Sequence, residues 1–423
     1  MKIVVINQHT NNYGDDIAGS AVLDELVRRF PRVRIEVFYI WNLQQGRLPF
    51  SHPHVIHQNH VGLSRINLYS QVIEYQLRKT GYFKLLSDSL VDADFVIVSP
   101  CGANIGVYRD WSFLACVLLC VSKGKPVVFH LNTIGNSDSK IFDFLARRAL
   151  KQCHIFVREW QSHRYLKELG ISSELGVDSA FLAPKICASS ERKMRVITFV
   201  PSRISSWHPD FRNFREDAFI ANVVRDLCVG ANELQWAIRL LPHVCGKYSE
   251  HEYIGFLTKE IRRSLAPHLD VSILNPQTAY DYDHAIAESC FVVSMRYHGC
   301  ILAIKNAVPF VALSYENKMK EACSYADVID AYVDIRKYRS GELTSRIHSI
   351  VKSYSAMVST MDARYEALNR MAHKPIDYLE SFLAGRHGET LVHKSGCRPP
   401  ARVQGDQKSI SKVSPVELNR RFD

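Results

Sequence analysis

The sequence predicts an α/β protein of two domains, each with a parallel sheet that helices cover on both faces. Short β-branched runs alternate with helix-periodic segments along most of the 423 residues, a pattern typical of parallel strands joined by helical crossovers. A polar segment without periodicity, residues 183–193, interrupts this alternation. The chain is also long for a single hydrophobic core. These three observations together favour two domains of similar construction.

The first series begins with a β-branched run, a polar loop and a helix-periodic segment. The sequence predicts a strand over residues 3–6 and a helix over 17–30. Further strands are predicted over 34–39, 95–99, 126–130 and 154–157, with a buried helix over 113–121 and another helix over 162–169. We place the first domain at residues 1–186.

The second series follows the polar segment. Strands are predicted over 195–200, 236–241, 271–274, 291–294 and 310–313. We place the second domain at residues 187–384, and we expect a helix over 362–384 to pack back on the first domain. Two such Rossmann-like domains facing each other across a cleft form a GT-B-like architecture. Residues 385–423, rich in Gly, Pro, Ser and basic side chains, are predicted to form a basic disordered tail.

The net charge and the cysteines exclude several classes of protein. Of the formal charge of +10, the tail from residue 386 onwards carries eight Lys or Arg against four Asp or Glu, so the body is also basic. A basic body suits anionic small substrates or an anionic membrane surface, and simple solubility is the alternative. A nucleic-acid partner is disfavoured because no basic helix interleaved with aromatic residues is present. The eleven cysteines form no C-x-x-C pair, so neither a disulfide framework nor a metal site is expected.

The apolar segments are too short for export or membrane insertion. The N-terminal run has four apolar residues before polar ones return, and the longest run, 113–121, has about half the length needed to span a bilayer. We therefore expect a cytoplasmic protein, with peripheral contact to the inner face of a membrane as a further expectation.

Candidate binding residues lie in loops at the carboxyl ends of the predicted strands, where parallel sheets bind ligands. Asn12, Gly14 and Asp15 follow the first strand. Gly14 can adopt a positive φ or admit a ligand, and the start of the next helix offers N–H groups to an anion. A helix cap is the alternative role for Asp15. The loop lacks G-x-G-x-x-G, which disfavours a nicotinamide cofactor. His130 ends another strand, with a structural role as its alternative.

Further candidates lie later in the chain, most of them directly after predicted strands. Arg158 is placed to bind carboxylate or phosphate through two N–H donors, or alternatively to pair with Glu159 or another acid. Asp178 is a candidate to orient it. Lys318 adds positive charge to the same anion or is simply solvated, and His243 is a further histidine at a strand end.

The most informative segment is residues 294–299, Ser-Met-Arg-Tyr-His-Gly. If the chain is extended here, Arg296 and His298 point to one side and Tyr297 to the other, so the first two face one ligand. Gly299 then leaves N–H groups available at the start of the next helix. An anion-binding arginine beside a titratable imidazole is suited to holding a phosphate and moving a proton.

In these segments the sequence resembles the polysaccharide pyruvyltransferase family. The matching residues are Asn12, Gly14, Asp15, Val157, Arg158, Glu159, Ser162, Asp178, Ala180, Phe181, Pro242, His243, Ser294, Arg296, Tyr297, His298, Gly299, Ala303, Pro309, Ser314, Tyr315 and Lys318. The similarity spans roughly residues 3 to 320. One departure is the loop 99–106, which carries Cys-Gly-Ala-Asn where family members usually show a fuller glycine run.

The resemblance implies phosphoenolpyruvate as the donor and a glycan, lipid-linked or a growing polysaccharide, as the acceptor. The first domain is then the acceptor side and the second the donor side. It further implies that Arg158 and Arg296 hold the donor, that His298 is the general acid, and that His130 or Asp15 is the acceptor-side base. No cofactor or metal is required. Two alternatives stay open: a GT-B glycosyltransferase using a nucleotide sugar, and a non-catalytic member of a polysaccharide assembly.

Overall fold

A computed structural model describes residues 1–40, 50–58, 68–186, 195–245 and 250–395, with side chains described as far as residue 384. Residues 1–377 form one compact unit. Residues from Tyr378 onwards form a second unit, of which the structure describes the end of a long helix. Residues 385–395, expected as the start of a disordered tail, belong to this helix instead. The rest of the expected tail, residues 396–423, and most of the polar segment 183–193 lie outside the described residues.

The first sheet has seven parallel strands in the order β3-β2-β1-β4-β5-β6-β7. The strands are Lys2–Gln8 (β1), Arg34–Tyr39 (β2), Val55–Gln58 (β3), Phe95–Val98 (β4), Val127–Asn132 (β5), His154–Val157 (β6) and Glu174–Leu175 (β7). The helices between them are Tyr13–Arg29 (α1), Leu68–Ile73 (α2), Gly81–Val91 (α3), Trp111–Ser122 (α4), Lys140–Leu150 (α5) and Trp160–Glu168 (α6), with a π-helical turn over Glu74–Arg78. The apolar strands are buried because helices cover both faces of the sheet.

The second sheet has six parallel strands in the order β10-β9-β8-β11-β12-β13. The strands are Val196–Val200 (β8), Ala237–Leu240 (β9), Val271–Ile273 (β10), Phe291–Ser294 (β11), Phe310–Ser314 (β12) and Tyr332–Asp334 (β13). The helices are Glu216–Leu234 (α7), His251–Ser264 (α8), Ala279–Ala287 (α9), Tyr297–Lys305 (α10), Asn317–Tyr325 (α11), Glu342–Lys352 (α12) and Tyr354–Ser395 (α13). The predicted fold class, two parallel α/β sheets, is confirmed.

Two features join the sheets into one unit. The loop after β1 meets the loop after β9, where Tyr13 N donates to His243 O at 3.1 Å and Cys245 N donates to the Asn11 carbonyl at 3.0 Å. The helix expected over 362–384 lies inside α13. From it, Asn369 Nδ2 donates to a carbonyl oxygen of the segment after β7 at 2.8 Å. The carboxyl ends of the two sheets therefore border one cleft.

The strand order reverses once in each sheet, between β1 and β4 and between β8 and β11. At such a switch point the neighbouring loops leave in opposite directions and open a crevice. Within the described residues, no helix is both long enough and apolar enough to cross a membrane.

Candidate functional site

A cavity of about 330 Å³ lies where the two crevices meet. Loops after β1, β4, β6, β8, β9, β11 and β12 all contribute to its wall. The lining residues are His9, Asn12, Asp15, Gly102, Asn104, Tyr108, Asp110, Arg158, Trp207, His243, Arg296, Tyr297, His298, Tyr315 and Lys318. Eight of the ten site residues predicted from the sequence are among them, and the exceptions are Gly14 and His130.

The start of α1 does not offer the expected N–H groups to an anion. The Asn12 side chain caps the helix and accepts from Gly14 N at 2.9 Å and Asp15 N at 3.3 Å. The backbone carbonyl of Asn12 accepts from Asp16 N, and Tyr13 N donates to the backbone carbonyl of His243 in the loop after β9. The first-turn donors are therefore already engaged, and this part of the expectation is wrong. Asn12 and Asp15 contribute only their side chains to the cavity.

Gly14 is required by a close approach across the cleft. Its φ is not positive, so backbone strain does not explain the glycine. A Cβ at this position would lie 2.1 Å from Nδ1 and 2.3 Å from Cγ of His298. Any larger residue would collide with the imidazole, and the glycine therefore sets the position of His298.

The carboxylate of Asp178 joins Arg158 to His298. Its Oδ2 accepts from Arg158 NH1 at 2.7 Å and lies 3.6 Å from His298 Nε2. Oδ1 accepts from the Ala180 N–H at 2.9 Å. Burial alone raises the pKa of Asp178, but His298 and Arg158 outweigh burial and hold that pKa below its usual range. The carboxylate is therefore ionised, and it lies beside His298 Nε2, which has no hydrogen-bond partner among the described residues.

Arg296 is the second guanidinium in the cavity. Its NH2 pairs with the Glu250 carboxylate, and its guanidinium carbon lies 5.1 Å from the centre of the Trp207 ring. Among the described residues its Nε, although buried, has no hydrogen-bond partner. The pair with Glu250 thus positions the group without using all of its five donors.

Tyr297 lies between two cations. The Arg158 guanidinium carbon is 4.8 Å and Lys318 Nζ is 5.5 Å from the centre of its ring. Lys318 also pairs with Glu316 at 2.5 Å. Burial opposes ionisation of Glu316, but Lys318 and His208 outweigh it and lower its pKa to about 2. Each of the three cavity cations therefore has an acidic partner that holds it in place.

The segment 296–298 brings three consecutive side chains into the cavity, including Tyr297, which was expected to point away from Arg296 and His298. The chain is extended only as far as Arg296, the cap residue of α10, and it is helical from Tyr297 onwards. Within the described part of the chain, the N–H groups of Tyr297, His298 and Gly299 find no hydrogen-bond acceptor. Gly299 is required by packing, since a Cβ there would lie 2.2 Å from Ser294 Oγ. The start of α10 is thus suited to binding an anion.

The two remaining histidines differ in position. The His243 ring lies nearly parallel to that of His298 with centres 6.2 Å apart, and its Nδ1 lies 2.9 Å from the Tyr282 hydroxyl. Burial and the nearby charges lower the pKa of His243 well below its usual value. His130 is fully buried outside the cavity, with Nδ1 3.0 Å from Ser179 Oγ. Burial lowers its pKa to about 3. The structure therefore does not bring His130 to the site.

Several lining residues were missed by sequence reasoning. His9 immediately follows β1, and its position at a strand end was a usable signal. Asn104 donates through Nδ2 to His9 Nε2 at 2.8 Å, so the loop 99–106 contributes to the cavity despite its shortened glycine run. Trp207, which lines the cavity, carried no local signal because its role depends on the opposing Arg296. The same holds for Glu250, which pairs with Arg296 without lining the cavity.

A second cavity of about 480 Å³ adjoins the first and shares Tyr315 and Lys318 with it. Its other walls come from the loop 133–136, from α6 and from the segment 208–210. Glu316 separates the two cavities: its Oε1 accepts from the Tyr108 hydroxyl at 3.1 Å and lies 2.9 Å from His208 Nε2. The pair of cavities offers room for two ligands that meet at Lys318.

Solved structures with a similar architecture show the fold of the chain. S. aureus MnaA with UDP has a TM-score of 0.56 at 12% identity, over 90% of this chain and 97% of that one. Anabaena Alr3699/HepE in complex with UDP-glucose has a TM-score of 0.54 at 13% identity, over 90% of this chain and 100% of that one. Identities this low establish the fold alone, which is the GT-B fold of epimerases and glycosyltransferases.

The family follows from the sequence itself. The model of the family Polysaccharide pyruvyl transferase matches residues 12–317, and the chain belongs to this family. The matched range contains every residue named above that carries a charge into the first cavity except Lys318. No curated protein matches the chain significantly.

Proposed function

We propose that this protein transfers the pyruvyl unit of phosphoenolpyruvate to a glycan, forming a cyclic pyruvate ketal in the synthesis of an exopolysaccharide or cell-surface polysaccharide. The observation that carries the proposal is the convergence of Arg158, Arg296, Lys318 and His298 with the start of α10 on one small cavity. Membership of a transferase family supports group transfer as the class of reaction.

The cations keep N–H groups available for phosphoenolpyruvate although each already has an acidic partner. Arg158 uses NH1 for Asp178 and Nε for Thr133 Oγ1 at 3.0 Å, which leaves NH2. The buried Nε of Arg296 has no partner among the described residues, and an unsatisfied buried donor costs about 1–3 kcal/mol. A ligand with phosphate and carboxylate oxygens removes that cost. Because acids hold the guanidinium groups in place, little side-chain freedom is lost on binding.

In the proposed reaction His298 donates a proton to the methylene carbon of phosphoenolpyruvate, which becomes a methyl group. A sugar hydroxyl oxygen bonds to C2, the C2–O bond to phosphate breaks, and a second hydroxyl closes the ketal. Of the two hydroxyl protons, one returns to His298 and one leaves on hydrogen phosphate. Asp178 stabilises the imidazolium through Nε2, so Nδ1 is the proton-transferring atom in this scheme.

The acceptor side is assigned by position. Asp15 lines the cavity, whereas His130 does not, so we assign to Asp15 the role of the base that takes a sugar hydroxyl proton and passes it to the departing phosphate. The second cavity carries aromatic and hydrogen-bonding side chains such as Tyr165, Asn136 and Gln161, which are groups that bind sugars. A glycan placed there reaches the donor beside Lys318.

The test is an assay of phosphate release from phosphoenolpyruvate with a panel of oligosaccharide acceptors, followed by proton NMR of the product. The proposal predicts a new ketal methyl singlet. Arg296→Ala and His298→Ala should each lower the rate by about two to four decades, since each removes charge or proton transfer in the transition state. Arg225→Ala, at an exposed site on α7, is the matched control. Release of a nucleoside diphosphate from a nucleotide sugar, without phosphate release, would instead support a glycosyltransferase.

A further inference from the structure

The outer face of α5 combines large apolar side chains with basic ones. Ile141 and Phe144 are 70% and 66% exposed, and their spacing of three residues places them side by side. Four exposed basic residues share this side: Lys140, Arg147 and Arg148 lie in the helix, and Lys151 directly follows it. Spacings of three and four residues place all six on one side of the helix.

The opposite face of α5 is the one that the fold requires. Phe142, Ala146, Ala149 and Leu150 are buried in the core of the first sheet. The exposed phenyl and isoleucine side chains are therefore additional to the packing of the domain.

Two acidic side chains near this face already have partners, and a third is exposed. Asp143, the acid within α5, accepts from Ser137 Oγ at 2.7 Å and from its N–H at 3.2 Å. Glu168 of the adjacent α6 lies 3.8 Å from Arg164. Asp138 is exposed just before the helix. The surface thus carries an excess of positive charge around two apolar side chains.

We propose that α5 docks on an anionic lipid surface. Phe144 and Ile141 enter the headgroup region, where apolar side chains leave water, and the four cations contact lipid phosphates. The charge selects this occupant: a second copy of the chain on the same face would oppose four cations with four cations, since a twofold interface pairs like surfaces.

The position of α5 connects this surface to the second cavity. The loop 133–136 that leads from β5 towards α5 forms part of the wall of that cavity. Docking through α5 therefore brings the cavity near the lipid surface, which suits a lipid-linked acceptor. This connection rests on the proposed function, whereas lipid binding by α5 does not.

The experiment is flotation of the full chain with phosphatidylglycerol vesicles and, separately, with phosphatidylcholine vesicles. The wild type should float with phosphatidylglycerol and far less with phosphatidylcholine. The double variant Ile141→Ser/Phe144→Ser should bind about tenfold more weakly or worse, because two partly inserted side chains are lost. Arg148→Gln/Lys151→Gln should bind about 25-fold more weakly, with about fivefold lost for each cation.

Phe256→Ser is the matched control, because Phe256 is 54% exposed on α8 of the other domain. Thermal unfolding of every variant should match the wild type, since the substituted side chains are exposed. The proposal is overturned if both double variants float like the wild type. It is also overturned if sedimentation without lipid shows a dimer that Ile141→Ser/Phe144→Ser abolishes while vesicle binding is unchanged.

Discussion

Gly14→Ala adds a single carbon that displaces the proposed acid without removing any functional group. In the structure a Cβ at this position would lie 2.1 Å from Nδ1 of His298, 2.3 Å from Cγ and 2.5 Å from Cβ. Ordinary contact begins at 3.4 Å, so the ring must retreat by about 1.3 Å. The start of α1 cannot move instead without breaking its backbone bond to the His243 carbonyl.

A displacement of about 1 Å at a reacting group costs roughly 100-fold in rate, and we expect kcat of Gly14→Ala to fall by that factor. The ring would also leave its place 3.6 Å from the Asp178 carboxylate, which weakens stabilisation of the imidazolium. Binding of phosphoenolpyruvate should change less, because Arg158 and Arg296 are untouched.

The assay is phosphate release from phosphoenolpyruvate with acceptor, with kcat and KM measured separately. Gly255→Ala is the matched control: this glycine also lies within a helix, and nothing approaches within 4 Å of its added Cβ. That variant should retain wild-type kcat. A kcat of Gly14→Ala within about twofold of the wild type would refute the assignment of His298 as the acid, because a misplaced imidazole could not transfer the proton.

Three further substitutions test buried charges. Asp178→Asn should lower the free energy of unfolding by about 3 kcal/mol, because buried Arg158 loses its acid partner. Lys305→Met should cost a similar amount, about 3 kcal/mol, because it leaves Asp283 without its buried partner. Burial next to Glu159 raises the pKa of Glu321 from 4.5 to about 7. The folded protein therefore holds this proton more tightly than the unfolded chain, and its contribution to stability is lost as pH rises from 4.5 towards 7, by up to about 1.4 kcal/mol per pH unit. Glu321→Gln should remove this dependence.

Urea unfolding measures all three effects. Asp362→Asn is the control for the first two, because it removes an exposed partner of Lys185 and should cost less than about 1 kcal/mol. If Asp178→Asn and Lys305→Met were as stable as this control, the assigned ion pairs would be contradicted. For Glu321, which accepts from Trp160 N at 2.5 Å across the cleft, a wild type and Gln variant with parallel pH profiles would contradict the shifted pKa.

The sequence predicts the central strands well and the sheet edges poorly. The predicted ranges of β2, β6 and β11 agree with the structure residue for residue. β3, β7 and β13 were missed, and each is the last strand of its sheet on one side. Edge strands are short and partly solvent-exposed, so they lack the apolar run that marks a buried strand.

Individual site residues could be predicted because parallel sheets place ligand-binding groups after their strands. Arg158 and His298 were found in this way, and their position at strand ends was the usable signal. Their mutual arrangement could not be predicted. Asp178 joins residues that are far apart in the sequence, and the pairing of Gly14 with His298 depends on how closely the loops approach. Such distances follow from tertiary packing rather than from any local pattern.

Calorimetric titration of phosphoenolpyruvate and of UDP-glucose, side by side, distinguishes the proposed donor from a nucleotide sugar. We expect saturable binding of phosphoenolpyruvate that Arg296→Ala weakens by at least tenfold, since a charge-assisted contact is worth about 1.5–3 kcal/mol. Tight binding of UDP-glucose together with no measurable binding of phosphoenolpyruvate would contradict it.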